Sequence, residues 1–428
     1  MNKDWLAVFE ALKAVYTDGA YSNISINEAV SHRKGLRESF VRSFAKGVLR
    51  NSIKIDHIID ALAGKGIKSI KQRPLIVLRM GIYAIDELVS VPDHAAVNEA
   101  VELAKTVAKG SERFVNGMLR NYLRRKDEFA TDKLEPYIRY SFRKDIFSLL
   151  SEQYGDEAIR IAEALNEPSE VYLRVNTLKA GRDEVIRRLA EYGIEGRGAE
   201  ENSEAILAKG SGIVSCELYR QGFYTIQSLS SMIAVKALGP EPGSRVLDLC
   251  AAPGGKTGYM AELMGNKGSI TACDVHPHRL MLTQAAMKRL GVSICALEER
   301  DAAVYDETLK ESFDFVLADV PCSGLGVTSS KPELKLTADP AEFEELIGIQ
   351  KKILTNAFRY VKPGGRLEYS TCTLNKNENE AVVKHVLSKE GISARIIEMT
   401  TLMPYNGKVG FYYCIIEKNA ILTGRRTD

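Results

Sequence analysis

The 428-residue sequence has few cysteines, a single tryptophan and no long apolar run. Its seven cysteines are odd in number and include no CxxC pair, which argues against a disulfide framework and a cysteine-based zinc site. No run of about 18 apolar residues could span a membrane. Asp4, Glu10 and Lys13 lie too close together near the start for a secretory signal. We therefore expect a soluble, cytoplasmic protein with reduced thiols and no membrane partner.

The chain also carries almost no net charge, since its formal net charge is only +2. The charge is uneven, because residues 1–130 contain 21 Lys and Arg against 15 Asp and Glu. We expect an acidic partner to be met by this first third, although such charge can also be an ordinary solvated surface. Two basic clusters lie there, comprising Lys65, Lys68, Lys71 and Arg73, and Arg113, Arg120, Arg124, Arg125 and Lys126.

The spacing of apolar residues predicts an all-α domain over residues 1–135. Pro92 and Asp93 are typical of a helix start. Apolar residues then recur at helical spacing at Val97, Ala100, Val101, Ala104 and Val107. The helical pattern lapses near Pro136, and a clear strand follows at Val171–Val175. We assign residues 136–222 to a small α/β segment.

From residue 223 onward strands alternate with helices, which predicts an α/β domain over residues 223–428. The predicted strands cover residues 245–249, 269–273, 313–318 and 366–369, and the predicted helices include residues 279–290 and 343–360. Such alternation is typical of a parallel, doubly wound sheet, in which ligands bind beyond the carboxyl ends of the strands. The residues that follow the strands are therefore the candidates for chemistry.

The first of these strands runs into a turn of small residues, namely Cys250, Ala251, Ala252, Pro253, Gly254, Gly255 and Lys256. Glycines allow close approach of a ligand, but a Walker phosphate loop needs four residues between its glycines. Asp274 ends the next strand, where a carboxylate accepts hydrogen bonds from ribose hydroxyls. The pattern favours a nucleoside cofactor over a triphosphate. The alternative is a plain glycine turn with an incidental surface aspartate.

Acidic and thiol side chains also follow the later strands. Asp301 comes after a further strand that we presume between the predicted strands 269–273 and 313–318, where a side chain could reach an adenine edge, and Asp319 ends the strand 313–318. Cys322 follows Asp319 closely and Cys372 follows the strand 366–369, so both thiols are predicted at one rim of the sheet. A lone cysteine is more often a small buried apolar residue. This is our interpretation of Cys216, Cys250, Cys273, Cys295 and Cys414.

Three motifs carry a resemblance to a known family. DLCAAPGGKT, ADVPCSGLGV and YSTCTLNKNENE resemble the RNA 5-methylcytosine methyltransferases of the Nol/Nop/Sun family. The N-terminal segment resembles the NusB RNA-binding fold, and this fusion is similar to bacterial members that methylate C5 of a cytosine in 16S rRNA. The resemblance implies an all-α NusB-like domain, a small α/β RNA-binding segment and a Rossmann-like class I methyltransferase domain.

The resemblance also implies a cofactor, S-adenosylmethionine, lying over residues 250–256 with contacts from Asp274, Asp301 and Asp319. In the family the cysteine that matches Cys372 is the nucleophile, and the one that matches Cys322 is associated with product release.

Methylation of cytosine at C5 needs a nucleophile, a hydrogen-bond donor and a base, and the sequence offers a candidate for each role. Cytosine C5 becomes nucleophilic only after a thiolate adds to C6, so Cys372 is expected to form a covalent adduct. Asp319 is the nearest candidate for a hydrogen-bond donor at N3, and Cys322 is placed to remove the C5 proton or to relay it. Thiolate formation needs positive charge, for which Lys256 is the candidate.

The target base must leave its stack, so the RNA should be single-stranded or loosely paired. Polar and aromatic residues of the segments 173–177 and 222–227 either contact RNA or belong to plain core strands.

His276 and His278 could be considered as metal ligands, but the chain there is too short to surround a metal ion, so we expect no metal. We expect a monomer.

The sequence departs from the family at four positions. Ser329 and Ser330 stand where the family commonly has two arginines, Ser228 replaces an acidic residue, and Glu368 puts a charge into a predicted buried strand. Two alternatives stay open. One is the same chemistry on tRNA, and the other is a non-catalytic RNA-binding or ribosome assembly factor, against which the two intact cysteines argue.

Overall fold

The computed structural model describes residues 2–31, 33–89, 91–389 and 392–420, and the chain forms two compact units. The first comprises Met1–Glu167 together with Thr328–Ala338, and the second comprises Pro168–Val327 and Asp339–Asp428. The division into smaller domains at residues 135 and 222 stays a prediction. None of the described helices combines the length and apolar character needed to cross a membrane.

The first unit is built from helices, as predicted. They are α1 (Lys3–Asp18), α2 (Ser22–Ser31), α3 (Glu38–Arg50), α4 (Ser52–Leu62), α5 (Gln72–Glu87), α6 (Asp93–Val107), α7 (Glu112–Arg125), α8 (Pro136–Arg139), α9 (Lys144–Tyr154) and α10 (Glu157–Asn166). The first helix begins where the Asn2 side chain accepts a hydrogen bond from the amide of Asp4, and it ends at Gly19, whose φ of +65° is left-handed. Trp5 packs edge-on against Phe44 in the core, with ring centroids 5.0 Å apart.

The second unit begins with a small antiparallel sheet. Its elements are β1 (Val171–Val175), α11 (Arg182–Glu191), β2 (Glu195–Gly198), β3 (Ala205–Lys209), α12 (Glu217–Arg220) and β4 (Tyr224–Ile226). The strand order is β2-β3-β1-β4. Leu173, Val185 and Tyr224 are fully buried in its own small core.

A larger sheet follows with helices between its strands. The elements are α13 (Leu229–Leu238), β5 (Arg245–Asp248), α14 (Gly255–Leu263), β6 (Ser269–Asp274), α15 (Pro277–Leu290), β7 (Cys295–Glu299), β8 (Phe313–Asp319), α16 (Leu334–Thr337), α17 (Pro340–Tyr360), β9 (Val361–Thr371), α18 (Glu380–Leu387), β10 (Ala394–Leu402) and β11 (Phe411–Lys418). Single 3-10 turns lie at Ile67–Ser69, Lys126–Phe129, Thr131–Lys133, Glu307–Leu309 and Leu325–Val327. Of these helices, α16 belongs to the first unit.

The larger sheet is mixed rather than parallel throughout, which corrects the expectation from the sequence. The order is β10-β11-β9-β8-β5-β6-β7, and β11 runs antiparallel to both β9 and β10. A parallel crossover needs a dozen or more residues. The connection between β10 and β11 covers only residues 403–410, so the chain turns back as a hairpin.

The parallel part of the sheet has a topological switch point. From β5 the chain moves outward to β6 and β7, then returns to β8 and β9 on the other side of β5. The carboxyl ends of β5 and β8 therefore border a crevice in which doubly wound folds bind ligands.

Candidate active site

The turn after β5 is shaped by a glycine and fastened from two sides. Gly254 has a φ of +96°, and a Cβ atom there would lie 3.0 Å from the Thr283 side chain, so only glycine fits without strain. The Thr257 hydroxyl donates to Asp248 over 2.7 Å. Arg279 donates to the carbonyl oxygen of Ala252 over 3.0 Å. The backbone of the turn is thereby held at the mouth of the crevice.

The carboxylate predicted to bind ribose lies beside this turn. Asp274 ends β6 and is only 3% exposed. Its Oδ1 accepts from the amide of His276 over 3.0 Å, and Arg279 lies 3.5 Å from its Oδ2. Asp301 is exposed, and the amide of the preceding Arg300 donates to the Asp274 carbonyl oxygen, which joins the two strand ends.

These residues fit a nucleoside cofactor. Burial raises the pKa of Asp248 to about 7, and its Oδ1 lacks a hydrogen-bond partner among the described residues. The nearest atom to a Cβ built on Gly255 is 3.9 Å away, so the loop leaves open space. Asp274 and the turn would hold the nucleoside of S-adenosylmethionine. Across the described ranges no group of three or more His, Cys, Asp or Glu side chains could hold a metal ion.

An ion pair closes the opposite side of the crevice. Lys256 Nζ donates to Asp319 Oδ2 over 2.7 Å, and the Ser370 hydroxyl lies 3.2 Å from Oδ1 of the same carboxylate. Burial on its own would lower the pKa of Lys256, but the facing Asp319 carboxylate outweighs burial and raises that pKa. Lys256 therefore stays an ammonium group at the rim.

The structure brings the two predicted thiols together at this rim. Cys322 Sγ and Cys372 Sγ are 3.3 Å apart, and neither cysteine forms a disulfide. The hydrogen bond to Cys372 and burial raise the pKa of Cys322 well above its ordinary value. Negative charge on Cys372 is also among the causes that raise the pKa of Lys256. The arrangement suits a Cys322 thiol that donates to a Cys372 thiolate.

The other cysteines have surroundings that suppress reactivity. Burial raises the pKa of Cys273 to about 12, and the same cause acts to the same value on Cys295 and Cys414. Burial also raises the pKa of Cys250 well above its ordinary value, although this residue lies in the cofactor turn. A protonated thiol is a poor nucleophile. None of these four thiols is therefore a good nucleophile at neutral pH.

A buried carboxylate that the sequence analysis missed holds the two thiol loops together. Glu378 is fully buried and accepts from the amide of Ser323, next to Cys322, over 2.8 Å. It also accepts from Asn375, beyond Cys372, over 3.1 Å and from Gln350 over 3.0 Å. The only signal for it in the sequence is the polar run after Cys372, which is unusual beside a buried strand.

The arginine of strand β1 in the small sheet, Arg174, is a core group. Arg174 is fully buried and forms two hydrogen bonds of 2.8 Å with Glu262 of α14. It also donates to the carbonyl oxygen of Gly255 and to Gln227. Of the two interpretations of this strand, RNA contact or plain core, the plain core is correct for Arg174.

Ser228 is one of the four positions at which the sequence departs from the family. It is the residue before α13, and its hydroxyl accepts a hydrogen bond from the amide of Ser231 over 3.3 Å.

Comparisons with known proteins show which families the chain matches. Residues 235–414 match the family described as 16S rRNA methyltransferase RsmB/F, residues 4–124 match the NusB family, and residues 146–214 match a ferredoxin-like domain of RsmF/B-like methyltransferases. A probable ribosomal RNA small subunit methyltransferase B of Bacillus subtilis is 35% identical over 96% of this chain and 97% of its own length.

Solved structures share the fold. The crystal structure of PH0851 is 27% identical, covers 97% of this chain and 98% of its own, and has a TM-score of 0.82. NSun6 from Pyrococcus horikoshii, solved with SFG, is 23% identical with a TM-score of 0.60 over 65% of this chain and 99% of its own, a likeness of fold alone. The fold and the family matches define a class I S-adenosylmethionine-dependent RNA methyltransferase. The chain belongs to the ribosomal RNA small subunit methyltransferase B family.

Proposed function

We propose that this protein methylates C5 of a cytosine in 16S rRNA through a covalent adduct between Cys372 and C6 of the base. The observation that carries the proposal is the pair of thiols 3.3 Å apart on the same rim as the Lys256–Asp319 ion pair. A non-catalytic assembly factor would have no use for two facing thiols beside a buried ammonium group. Bound S-adenosylmethionine supplies the electrophilic methyl group.

The first step is addition of the Cys372 thiolate to C6. This step makes C5 nucleophilic and places negative charge near N3. Asp319 passes to N3 a proton that it receives from the ammonium group of Lys256, whose Nζ lies 2.7 Å away. Cys372, Asp319 and Lys256 therefore act before any methyl group moves.

The second step, removal of the C5 proton, depends on breaking the hydrogen bond between Cys322 and Cys372. Once Cys372 is bonded to C6, its hydrogen bond and its charge no longer raise the pKa of Cys322, which makes release of the Cys322 proton to water less costly. The resulting thiolate takes the C5 proton, N3 returns its proton to the Lys256–Asp319 pair, and Cys372 is eliminated. One proton is released per turnover, which balances the positive charge lost in methyl transfer.

RNA in which 5-fluorocytosine replaces cytosine tests the proposal directly, because the fluorine on C5 cannot leave as a proton does. The wild-type protein with S-adenosylmethionine should form a denaturation-resistant complex with 16S rRNA of this kind. Cys372→Ala should form none and should methylate no RNA, while its affinity for S-adenosylhomocysteine stays unchanged. Methylation by Cys372→Ala would overturn the adduct.

Cys322→Ala is the matched variant, because it keeps the nucleophile and removes the base. It should accumulate a covalent complex with ordinary cytosine RNA.

Bisulfite mapping of total RNA from cells with and without the gene identifies the target RNA. A lost signal in tRNA instead of 16S rRNA would favour the alternative substrate.

A further inference from the structure

The side chain of Arg174 reaches from the small sheet to the helix that continues the cofactor turn. Arg174 lies on β1 and is fully buried, and its Nε and Nη2 donate to the two carboxylate oxygens of Glu262 on α14, each over 2.8 Å. Its Nη1 donates to the carbonyl oxygen of Gly255, the first residue of α14, and to Gln227. One guanidinium group therefore has partners near both ends of α14, and all of them lie in the second unit.

The surface of α14 leaves room for Arg174 at its first turn. A Cβ atom built on Gly258, three residues after Gly255, would lie 3.0 Å from Nη2 of Arg174 and 2.8 Å from the side chain of Leu290. The ring of Tyr259, the next residue, has its centre 5.2 Å from Cζ of Arg174. The guanidinium group is therefore packed directly against the beginning of the helix.

A buried ion pair is weak evidence for a stabilising role, because removing both charges from water costs about as much as their attraction returns. Two apolar side chains of similar volume would join β1 to α14 without that cost. Such side chains would supply no donor to the carbonyl oxygen of Gly255. What the arginine adds to packing is therefore a hydrogen bond to the backbone of the cofactor turn.

This hydrogen bond fixes the peptide group between Gly255 and Lys256. Because a peptide group is planar, holding its carbonyl oxygen also sets the direction of the Lys256 N–H. This N–H is among the first four of α14, which have no acceptor inside the helix and point out of its N-terminus. Arg174 therefore acts on backbone groups of the turn over which the cofactor lies.

The other hydrogen bonds described for the turn hold different groups. The Thr257 side chain is bonded to Asp248, and Arg279 donates to the carbonyl oxygen of Ala252. Neither of these hydrogen bonds involves the peptide between Gly255 and Lys256. The contribution of Arg174 is thus separate from theirs.

We infer that Arg174 is a positioning residue for the cofactor turn, through which the small sheet sets the affinity for S-adenosylmethionine. The inference concerns the cofactor site and goes beyond the proposed reaction. It holds or fails independently of the covalent adduct and of the RNA that is methylated.

The double variant Arg174→Met/Glu262→Met of the full chain tests the inference, because it removes both charges and keeps an apolar contact between β1 and α14. Its denaturant midpoint should stay near that of wild type. Its affinity for S-adenosylhomocysteine, measured by calorimetry, should be about tenfold lower, as for loss of a hydrogen bond from a charged donor. Wild-type affinity in the folded double variant would overturn the inference, since Arg174 would then serve only the core.

Arg197→Met is the matched control, because Arg197 is an exposed arginine on β2 of the same small sheet. Its affinity and midpoint should equal those of wild type. The single variant Arg174→Met leaves the Glu262 carboxylate buried without its partner, so its midpoint should fall. Adding Glu262→Met should restore the midpoint without restoring the affinity. If the two recovered together, the role of Arg174 would be structural and the inference would fail.

Arg174→Lys serves if the double variant does not fold. Lysine keeps the positive charge, but its single ammonium group lacks the planar fork that holds the Glu262 carboxylate and the Gly255 carbonyl oxygen at once. The affinity for S-adenosylhomocysteine should again fall about tenfold. Amide hydrogen exchange at residues 254–258 should be faster than in Arg197→Met, because the first turn of α14 would open more often. An affinity equal to that of Arg197→Met would contradict the inference at any exchange rate.

Discussion

Glu368 is a carboxyl group in the middle of β9, where its neighbours across the sheet are Leu317 and Ile415. It is fully buried, and burial raises its pKa to about 8. The titratable groups that interact electrostatically with Glu368 are Lys256 of α14, Asp319 of β8, Asp248 of β5 and Tyr413 of β11. Glu368 is therefore mostly protonated at neutral pH.

Glu368→Gln should make the stability of the protein less dependent on pH. An unfolded glutamate has a pKa of about 4.3, so between about pH 4.3 and the folded pKa of about 8 the folded state holds the extra proton. Its contribution to stability is full below this window and is lost as pH rises through it. Denaturant midpoints at pH 5.5 and pH 8.5 should differ less in Glu368→Gln than in wild type. An equal difference would mean that Glu368 is ionised throughout.

Asp274→Asn should weaken cofactor binding because it removes the charged acceptor for ribose hydroxyls. The expected loss is about 1.5 to 3 kcal/mol, roughly 10-fold to 150-fold in affinity. Calorimetry with S-adenosylhomocysteine measures it. Asp301→Asn is the control, with a smaller effect expected because Asp301 is exposed. Equal affinities for Asp274→Asn and wild type would place the ribose elsewhere.

At the scale of elements, the alternation of strands and helices could be predicted from the sequence, but their direction and partners could not. The predicted strand 313–318 is β8 and the predicted helix 343–360 is the core of α17. Apolar spacing carries no information on whether β11 runs parallel or antiparallel. The ion pair between Arg174 and Glu262 joins residues 88 positions apart, so no local pattern reveals it.

Loops were harder to predict than strands. The motifs around Cys322 and Cys372 could be found from the sequence, because both follow strands of one sheet. The Glu378 carboxylate that joins them could not, because a polar run beside a strand usually indicates solvent rather than a buried network. Its four donors come from loops and from α17, which only the folded chain brings together.

Glu378→Gln should lower the methylation rate about 10-fold to 100-fold, since a neutral amide replaces the charged acceptor of several hydrogen bonds. The affinity for S-adenosylhomocysteine should stay within about twofold of wild type, because the hydrogen bonds described for Glu378 join it to Ser323, Gln350 and Asn375 rather than to the cofactor turn. Rates and affinities of Glu345→Gln, an exposed glutamate on α17, provide the control. If Glu378→Gln lost cofactor affinity in proportion to rate, the carboxylate would support the whole domain rather than the two thiol loops.

At the scale of the whole molecule, the helical unit includes a segment from far along the chain. Spacing and composition predicted the all-α character of residues 1–135, but the sequence does not show that Thr328–Ala338 joins them. Deleting residues 1–135 would remove Ser22 and Arg50, both of which hold this segment. The contribution of the helical unit to RNA binding is therefore best measured with charge variants of the full chain.

The basic cluster on α7 gives a test of that contribution. Arg113, Arg120 and Arg124 are exposed, and none of them forms an ion pair among the described residues. If each contacts one phosphate, changing all three to glutamine should flatten the slope of log affinity against log salt by about 2, at roughly 0.7 per phosphate of single-stranded RNA. Arg125→Gln should change it little, because Arg125 already pairs with Glu128 over 2.7 Å.

The measurement is a titration of 16S rRNA fragments at several salt concentrations, with circular dichroism to check that the triple variant is folded. Affinity for S-adenosylhomocysteine should be unchanged, because the residues assigned to the cofactor lie at Cys250 and beyond. A full salt slope in the triple variant would mean that this face meets no phosphate. The cluster would then be a solvated surface or a contact for a protein partner, and the phosphate contacts would have to come from the other basic cluster, at Lys65, Lys68, Lys71 and Arg73, or from the second unit.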